Sequence, residues 1–365
     1  MRTPDPGMGK GTRTGRGHGL GWRARLLAAG AVLVLVAAGC KSSGGGSGGG
    51  GGSDMTLNVG RVSNSVAFLP FYVAERQGYF AAEGVKLGDQ PVLGTGAKVA
   101  AALSSGSIDI GGSVMTDVLN MARAHQDVKL LAPLVNAYYI DVTVSSRFAQ
   151  PSGDLNAKIM ALKGRKIGIT GPGSGTEALL VYLFKQVGLD TKKDATLMPL
   201  GSDATAALGA LKSGRVDALS LAQPVGELVE AQGIGTIYIS PSRGDIPALR
   251  GATQGVAFTT QSAINRKGKA IAAFLRAIAK AEQLIHSDAA TTQKLLAGYQ
   301  PTMKPATVEK LVPILRQEIP ATPTFTQQGY QTIVTFHTSS GLVSSAPPFA
   351  SVVPTAWINQ ALAGG

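Results

Sequence analysis

The chain has 365 residues, one cysteine and a formal net charge of +12. A chain of this length can bury one or two hydrophobic cores, and a single cysteine excludes an intramolecular disulfide. Basic and acidic residues are interspersed without a basic run, and the histidines lie far apart, so the composition excludes a nucleic-acid footprint and a metal-ligand motif.

The first segment, residues 1–39, has the features of a secretory signal peptide. Arginines up to Arg25 precede an apolar run from Leu26 to Ala38, which is too short to span a bilayer. Small residues then lead to Cys40. Translation starting at Met8 instead of Met1 would shorten a leader that is long for its class.

Cys40 and the small residues before it resemble the lipobox of bacterial lipoproteins. This resemblance implies cleavage before Cys40, a diacylglycerol on its sulfur and often an acyl group on the new amino terminus. The mature protein would be extracytoplasmic and anchored to the membrane by lipid. The alternatives are a buried free cysteine or an uncleaved signal anchor.

Residues 40–54 follow as a predicted tether. This segment is almost entirely Gly and Ser, a composition that cannot bury apolar area and behaves as a flexible coil. Its typical reach is roughly 20 Å. We therefore expect a folded body held near a membrane but free to reorient.

From Met55 onward, short β-rich runs alternate with helical stretches, which predicts an α/β fold with largely parallel sheets. Leu57–Val62 is a predicted strand, and Pro70 and Gly78 mark the start and end of a helix. Lys166–Thr170 is a second strand, which a glycine-rich loop joins to a helix starting near Thr176.

An internal echo supports two similar halves. Residues 102–109 and 210–217 match at Ala, Leu, Ser, Gly and Asp. Each copy predicts a helix with a glycine at its C′ position, followed by a short buried strand. We interpret Asp109 and Asp217 as structural acceptors of backbone hydrogen bonds, because their echo is symmetrical and a ligand is not.

Later elements complete a two-lobed architecture. Gly255–Phe258 is strand-like, and Lys269–Ile285 carries an apolar helical face. We predict a first lobe from 55–145 plus 245–365 and a second lobe from 146–244, joined by a hinge of two crossovers. The carboxyl ends of the two sheets would line a ligand cleft between the lobes.

Two segments carry a family resemblance. Leu69 to Val85 (LPFYVAERQGYFAAEGV) and Leu162 to Thr176 (LKGRKIGITGPGSGT) are similar to ABC-transporter substrate-binding proteins of the nitrate, sulfonate, taurine and thiamine-precursor group. This resemblance implies a type II periplasmic binding fold. It further implies a monomeric, cofactor-free receptor that is not an enzyme and passes its solute to a permease with a cytoplasmic ATPase.

Turns at predicted helix starts supply the candidate ligand contacts. Glycine-rich turns let backbone amides converge at the positive end of a helix, which favours an anion, although each turn could equally be a plain helix cap. The candidates in the first lobe are Ser63, Asn64, Ser65, Gly94, Thr95, Gly96, Ser113 and Thr116, and those in the second are Gly173, Ser174, Gly175, Thr176 and Gln223.

Several hypotheses about the ligand remain open at this point. A small anion such as a sulfonate, taurine or nitrate leads, and a thiamine pyrimidine precursor is the alternative. Phe68, Tyr138 and Tyr139 are candidates for lining an aromatic pocket, although core packing is the preferred explanation for each of them. A sensor for a membrane kinase would use the same scaffold. A related pyrimidine synthase needs a cysteine-rich site and a histidine after the first strand, and this chain has neither there.

Overall fold

The structure, a computed structural model, describes residues 54–151, 153–341 and 343–364. The predicted leader, Cys40 and nearly all of the tether lie outside these described residues. Within the described ranges, no helix is both long enough and apolar enough to cross a membrane.

Strands and helices alternate through the described body. The strands are β1 (Thr56–Leu57), β2 (Val59–Arg61), β3 (Lys86–Leu87), β4 (Ile110–Val114), β5 (Val128–Val135), β6 (Ile140–Ser145), β7 (Lys166–Ile169), β8 (Thr196–Pro199), β9 (Ala218–Ala222), β10 (Gly235–Ile239) and β11 (Gly255–Thr260). The helices are α1 (Leu69–Arg76), α2 (Tyr79–Ala82), α3 (Gly96–Ser105), α4 (Met115–Arg123), α5 (Leu155–Met160), α6 (Gly175–Gln186), α7 (Thr191–Asp194), α8 (Ala204–Ser213), α9 (Val225–Ala231), α10 (Gln261–Ser287), α11 (Ala289–Tyr299), α12 (Pro305–Glu318), α13 (Gln327–Ser340), α14 (Phe349–Val352) and α15 (Thr355–Ala363).

Two separate sheets organise these elements. One has the strand order β2-β4-β11-β5, with β1 and β3 forming a small parallel pair, and the other has the order β10-β6-β9-β7-β8. Parallel pairs were expected to dominate, but β11 is antiparallel to β4 and β5, and β6 is antiparallel to β9 and β10. The reason is topological: β6 and β11 are the strands that enter each sheet from the other one.

The two crossovers lie where the chain changes sheets, at 136–139 and 240–254. The predicted division placed 140–145 in the first lobe, whereas β6 pairs within the second sheet. Local apolar pattern identifies a strand but not the sheet that it joins, because pairing is a long-range choice. We keep the two-lobe division as a proposal, with the first crossover moved to 136–139.

The two copies of the internal echo have the same local structure at their glycine and aspartate. Gly106 and Gly214 end α3 and α8 with φ of +75° and +78°, in the left-handed region that glycine adopts readily. Asp109 Oδ2 accepts a hydrogen bond from the backbone N–H of Asn58, and Asp217 Oδ2 accepts one from Lys166, both at 2.9 Å. The structural role predicted for both aspartates is therefore confirmed.

The first and longest helices also follow the sequence pattern. Pro70 lies in the first turn of α1, and Gly78 beyond its end has φ of +72°. The predicted apolar face of α10 is buried, with Phe274 packed 5.5 Å from the ring of Phe71 and 5.2 Å from that of Phe80. Helix α10 thereby covers α1 and α2 as well as β5 and β11, and it fixes the first lobe.

Candidate functional site

A cavity of about 560 Å³ lies between the two sheets. The first lobe contributes residues from the segments 62–65, 92–96 and 114–117. The second contributes residues from 170–175, 200–205 and 221–225, and the end of α11 with the next turn contributes 299–302. Loops at strand ends and helix starts from both lobes therefore converge on one space, as the two-sheet arrangement predicts.

The predicted site residues divide into those that line this cavity and those that do not. The lining set is Ser63, Asn64, Ser65, Gly94, Gly96, Ser174, Gly175 and Gln223. The remaining candidates, Thr95, Ser113, Thr116, Gly173 and Thr176, are not among the lining residues.

Three of the candidates that do not line the cavity hold its lining in place. Thr95 Oγ1 caps α3 by accepting from Lys98 N at 3.4 Å. Thr116 Oγ1 lies 3.1 Å from His337 Nε2 in the interior, and burial lowers the pKa of His337 to about 3. Thr176 Oγ1 accepts from Thr170 N at 2.9 Å, which ties α6 to the strand before it. These side chains position the turns whose backbone faces the cavity.

Hydrogen bonds near the cavity join the two lobes directly. Ser65 Oγ donates to the Gln223 carbonyl at 2.6 Å, and Ser202 Oγ donates to the Val62 carbonyl at 2.8 Å. Both pairs connect segments that line the cavity. The lobes thus contact each other at the cavity, and each of these bonds would be lost if the lobes separated.

Asp117 is a lining residue that sequence reasoning missed. Its side chain is 6 % exposed and lies in the first turn of α4, where it accepts hydrogen bonds from Ser113 Oγ and the Val114 N–H. The carboxylate packs against the start of α3 so closely that a Cβ at Gly96 would lie 1.9 Å from Asp117 Oδ1. Burial raises the pKa of Asp117 to about 6.

Helices α6 and α8, which also begin at the cavity, carry carboxylates of the protein as well. At the start of α6, Glu177 Oε2 accepts from Gly173 N at 2.6 Å while Ser174 Oγ accepts from Glu177 N at 3.4 Å, so both side chains cap this helix start. At the start of α8, Asp203 Oδ1 accepts from Ala206 N at 2.7 Å. The start of α6, which was expected to favour a bound anion, thus already holds a negative side chain, and so does the start of α8.

The charge balance of the lining follows from these residues. Asp117 and Asp203 line the cavity, and among the described residues that line it there is no Lys, Arg or His. Tyr139, Tyr299 and Gln300 also line the cavity and add polar groups. Tyr139 is one of the aromatic candidates from the sequence, whereas the sequence did not suggest Tyr299 or Gln300. One sequence signal could have identified Asp117 and Asp203 as lining residues. Each is an acidic residue at a helix start that follows a segment of small residues.

Gln223 is a lining residue whose side-chain amide is buried in the protein. Its side chain is 2 % exposed, and Nε2 lies 3.2 Å from Ser242 Oγ and 3.4 Å from Glu318 Oε1. These contacts orient the amide, and Gln223 Oε1 has no hydrogen-bond partner in the protein. Burial raises the pKa of Glu318 to about 7, so Glu318 is partly protonated near neutral pH.

Two mixed α/β lobes with two crossovers and a cavity between them define the type II periplasmic binding protein fold. The family model described as "NMT1/THI5 like" matches residues 65–291, and the chain belongs to this family. The family resemblance inferred from the sequence is thereby confirmed.

Relatives with known names agree with this fold. The putative binding protein YtlA of Bacillus subtilis (strain 168) is 25% identical over 241 residues, which are 64% of this chain and 67% of that protein. A protein from Bordetella bronchiseptica RB50 is 22% identical with a TM-score of 0.73, over 84% of this chain and 96% of that one. The alkanesulfonate-binding protein SsuA from Xanthomonas axonopodis pv. citri, bound to MOPS, is 20% identical with a TM-score of 0.66, over 82% of this chain and 98% of that one.

Proposed function

We propose that the protein is an extracytoplasmic receptor that captures a small solute between its lobes and delivers it to an ABC permease driven by a cytoplasmic ATPase. The observation that carries this proposal is the cavity of about 560 Å³ lined from both lobes. A ligand that contacts both lobes only in the closed form favours that form by its differential affinity. Binding and release of a solute require no covalent chemistry.

The membrane attachment in this proposal rests on Cys40 and the Gly/Ser tether. Cleavage before Cys40 would leave the folded body outside the cytoplasm on a lipid anchor. Intact-mass spectrometry of the chain extracted from membranes with detergent is expected to show an amino-terminal Cys40 carrying a diacylglycerol. A mature amino terminus without any acyl group would contradict the anchor and leave the receptor proposal standing.

The solute class is the finer part of the proposal. A sulfonate is supported by the alkanesulfonate-binding relative, and the resemblance noted in the sequence adds nitrate and taurine. The carboxylates at the starts of α4, α6 and α8 argue against an anionic solute, because they occupy the positions that would otherwise attract an anion. The cleft chemistry thus favours a solute that donates hydrogen bonds, such as an amine or an amino-heterocycle, over nitrate.

The test of this proposal has two steps, of which the first identifies a solute and the second tests closure of the lobes. A thermal-shift panel containing taurine, ethanesulfonate, nitrate, acetamidinium and an aminopyrimidine identifies the solute, since a ligand of the native state raises the melting temperature. We expect Ser65→Ala combined with Ser202→Ala to weaken binding of the selected solute about 30-fold, at roughly 1 kcal/mol for each of the two lost hydrogen bonds. Isothermal titration calorimetry measures this loss.

The matched control removes a hydroxyl that bonds only within its own lobe. Ser104 Oγ donates to the Ala100 carbonyl at 2.8 Å inside α3, so Ser104→Ala is expected to bind the solute as the unaltered chain does. Equal affinities of all three proteins would contradict closure through these contacts. A panel in which nothing raises the melting temperature would contradict the receptor function itself.

A further inference from the structure

We infer that the solute presents a cationic nitrogen group, an ammonium or an amidinium, to the carboxylate of Asp117. This inference rests on the proposed receptor function and deepens it by naming the chemistry that the cleft selects. Two features of the described residues support it.

The first feature is the sign of the charge in the cavity. Asp117 and Asp203 are lining residues, and the described lining contains no basic side chain that could neutralise them. A bound anion would have to give up its hydration beside like charges, whereas a cation would gain from them. Charges in a binding site that repel one class of ligand are a common source of specificity.

The second feature is the unused capacity of Asp117. An ionised carboxylate can accept about four hydrogen bonds, and two donors of the protein reach this one, Ser113 Oγ and the Val114 N–H. The group is nine-tenths buried and lines the cavity. It therefore has acceptor sites left for donors that enter the cavity.

The alternative role of Asp117 is that of a helix cap alone. A cap satisfies backbone N–H groups of α4 and does not depend on what enters the cavity. The two roles differ in one respect: only a ligand contact changes the affinity for cations relative to anions. The experiment therefore compares probes as well as variants.

The probes are acetamidinium and ethanesulfonate, which are small and differ in charge. Each is titrated by calorimetry into the full chain purified in detergent, with the other added as competitor. We expect saturable binding of acetamidinium that ethanesulfonate does not displace. Ethanesulfonate binding with no acetamidinium binding, equal binding of both, or no acetamidinium binding would each overturn the inference.

Variants locate the contact. Asp117→Asn keeps the side-chain shape without the charge and is expected to weaken acetamidinium binding at least tenfold. Asp154→Asn is the matched control, because Asp154 caps α5 through Ala157 N and does not line the cavity. Unchanged affinity in Asp117→Asn would overturn the assignment, and the probe comparison needs no variant to fold.

Failure of this inference can be told apart from failure of the receptor function. Suppose that an anion binds and that the Ser65→Ala, Ser202→Ala double variant binds it more weakly. This result would support the receptor function and would overturn the inference of a cationic solute. A chain that binds neither probe and no other solute of the panel would overturn both.

Discussion

Gly96→Ala is expected to lower the free energy of unfolding by about 1–3 kcal/mol and to abolish solute binding. The added Cβ would lie 1.9 Å from Asp117 Oδ1 and 2.0 Å from its Cγ. Ser113 and Val114 hold that carboxylate, so either Asp117 leaves its place or the start of α3 moves. Urea denaturation measures the stability, and calorimetry with the selected solute measures the affinity.

Gly209→Ala is the control for this prediction. Gly209 lies inside α8, its φ is not positive, and nothing lies within 4 Å of a Cβ built there. Alanine should stabilise that helix by about 0.5–1 kcal/mol and leave binding unchanged. If Gly96→Ala were tolerated like Gly209→Ala, the close packing of Gly96 against Asp117 would be refuted.

Glu282→Met is expected to raise the free energy of unfolding by about 1–3 kcal/mol at pH 7. Glu282 is 0 % exposed on α10, and neither of its carboxyl oxygens has a hydrogen-bond partner in the protein. Burial raises the pKa of Glu282 well above its ordinary value of 4.5. Methionine has a similar volume and needs no partner, so the core keeps its packing and loses an unpaired polar group.

The pH dependence of this gain has a definite sign. Above pH 4.5 the unfolded chain releases the proton of Glu282 while the folded chain keeps it, so this residue makes stability fall as pH rises, by up to about 1.4 kcal/mol per pH unit. The advantage of Glu282→Met should therefore be small near pH 4 and larger at pH 7. Thermal and urea unfolding at both pH values measure it.

An exposed glutamate provides the comparison for Glu282. Glu309 lies exposed on α12, and Glu309→Gln is expected to change the free energy of unfolding by less than about 0.5 kcal/mol at either pH. A Glu282→Met protein that is less stable than the unaltered chain at pH 7 would contradict the idea of an uncompensated buried carboxyl.

Local signals in the sequence determined many elements of this protein. Pro70 and Gly78 bound α1, the glycines of the echo end α3 and α8, and the apolar face of α10 is buried as its spacing indicates. These features depend on backbone preferences and on periodicity within a few turns of chain. The family and the two-sheet architecture could be predicted from the same short segments.

Tertiary structure alone decided which sheet β6 joins and which polar groups face the cavity. Thr116 and Thr176 occupy helix starts like those of Ser174 and Asp117, yet they point into the protein and bond to His337 and Thr170. The sequence cannot distinguish a helix cap from a ligand contact, because both use the same residue types at the same positions. The charge of the cleft likewise emerges only when Asp117 and Asp203, far apart in the chain, are brought to one cavity by long-range packing.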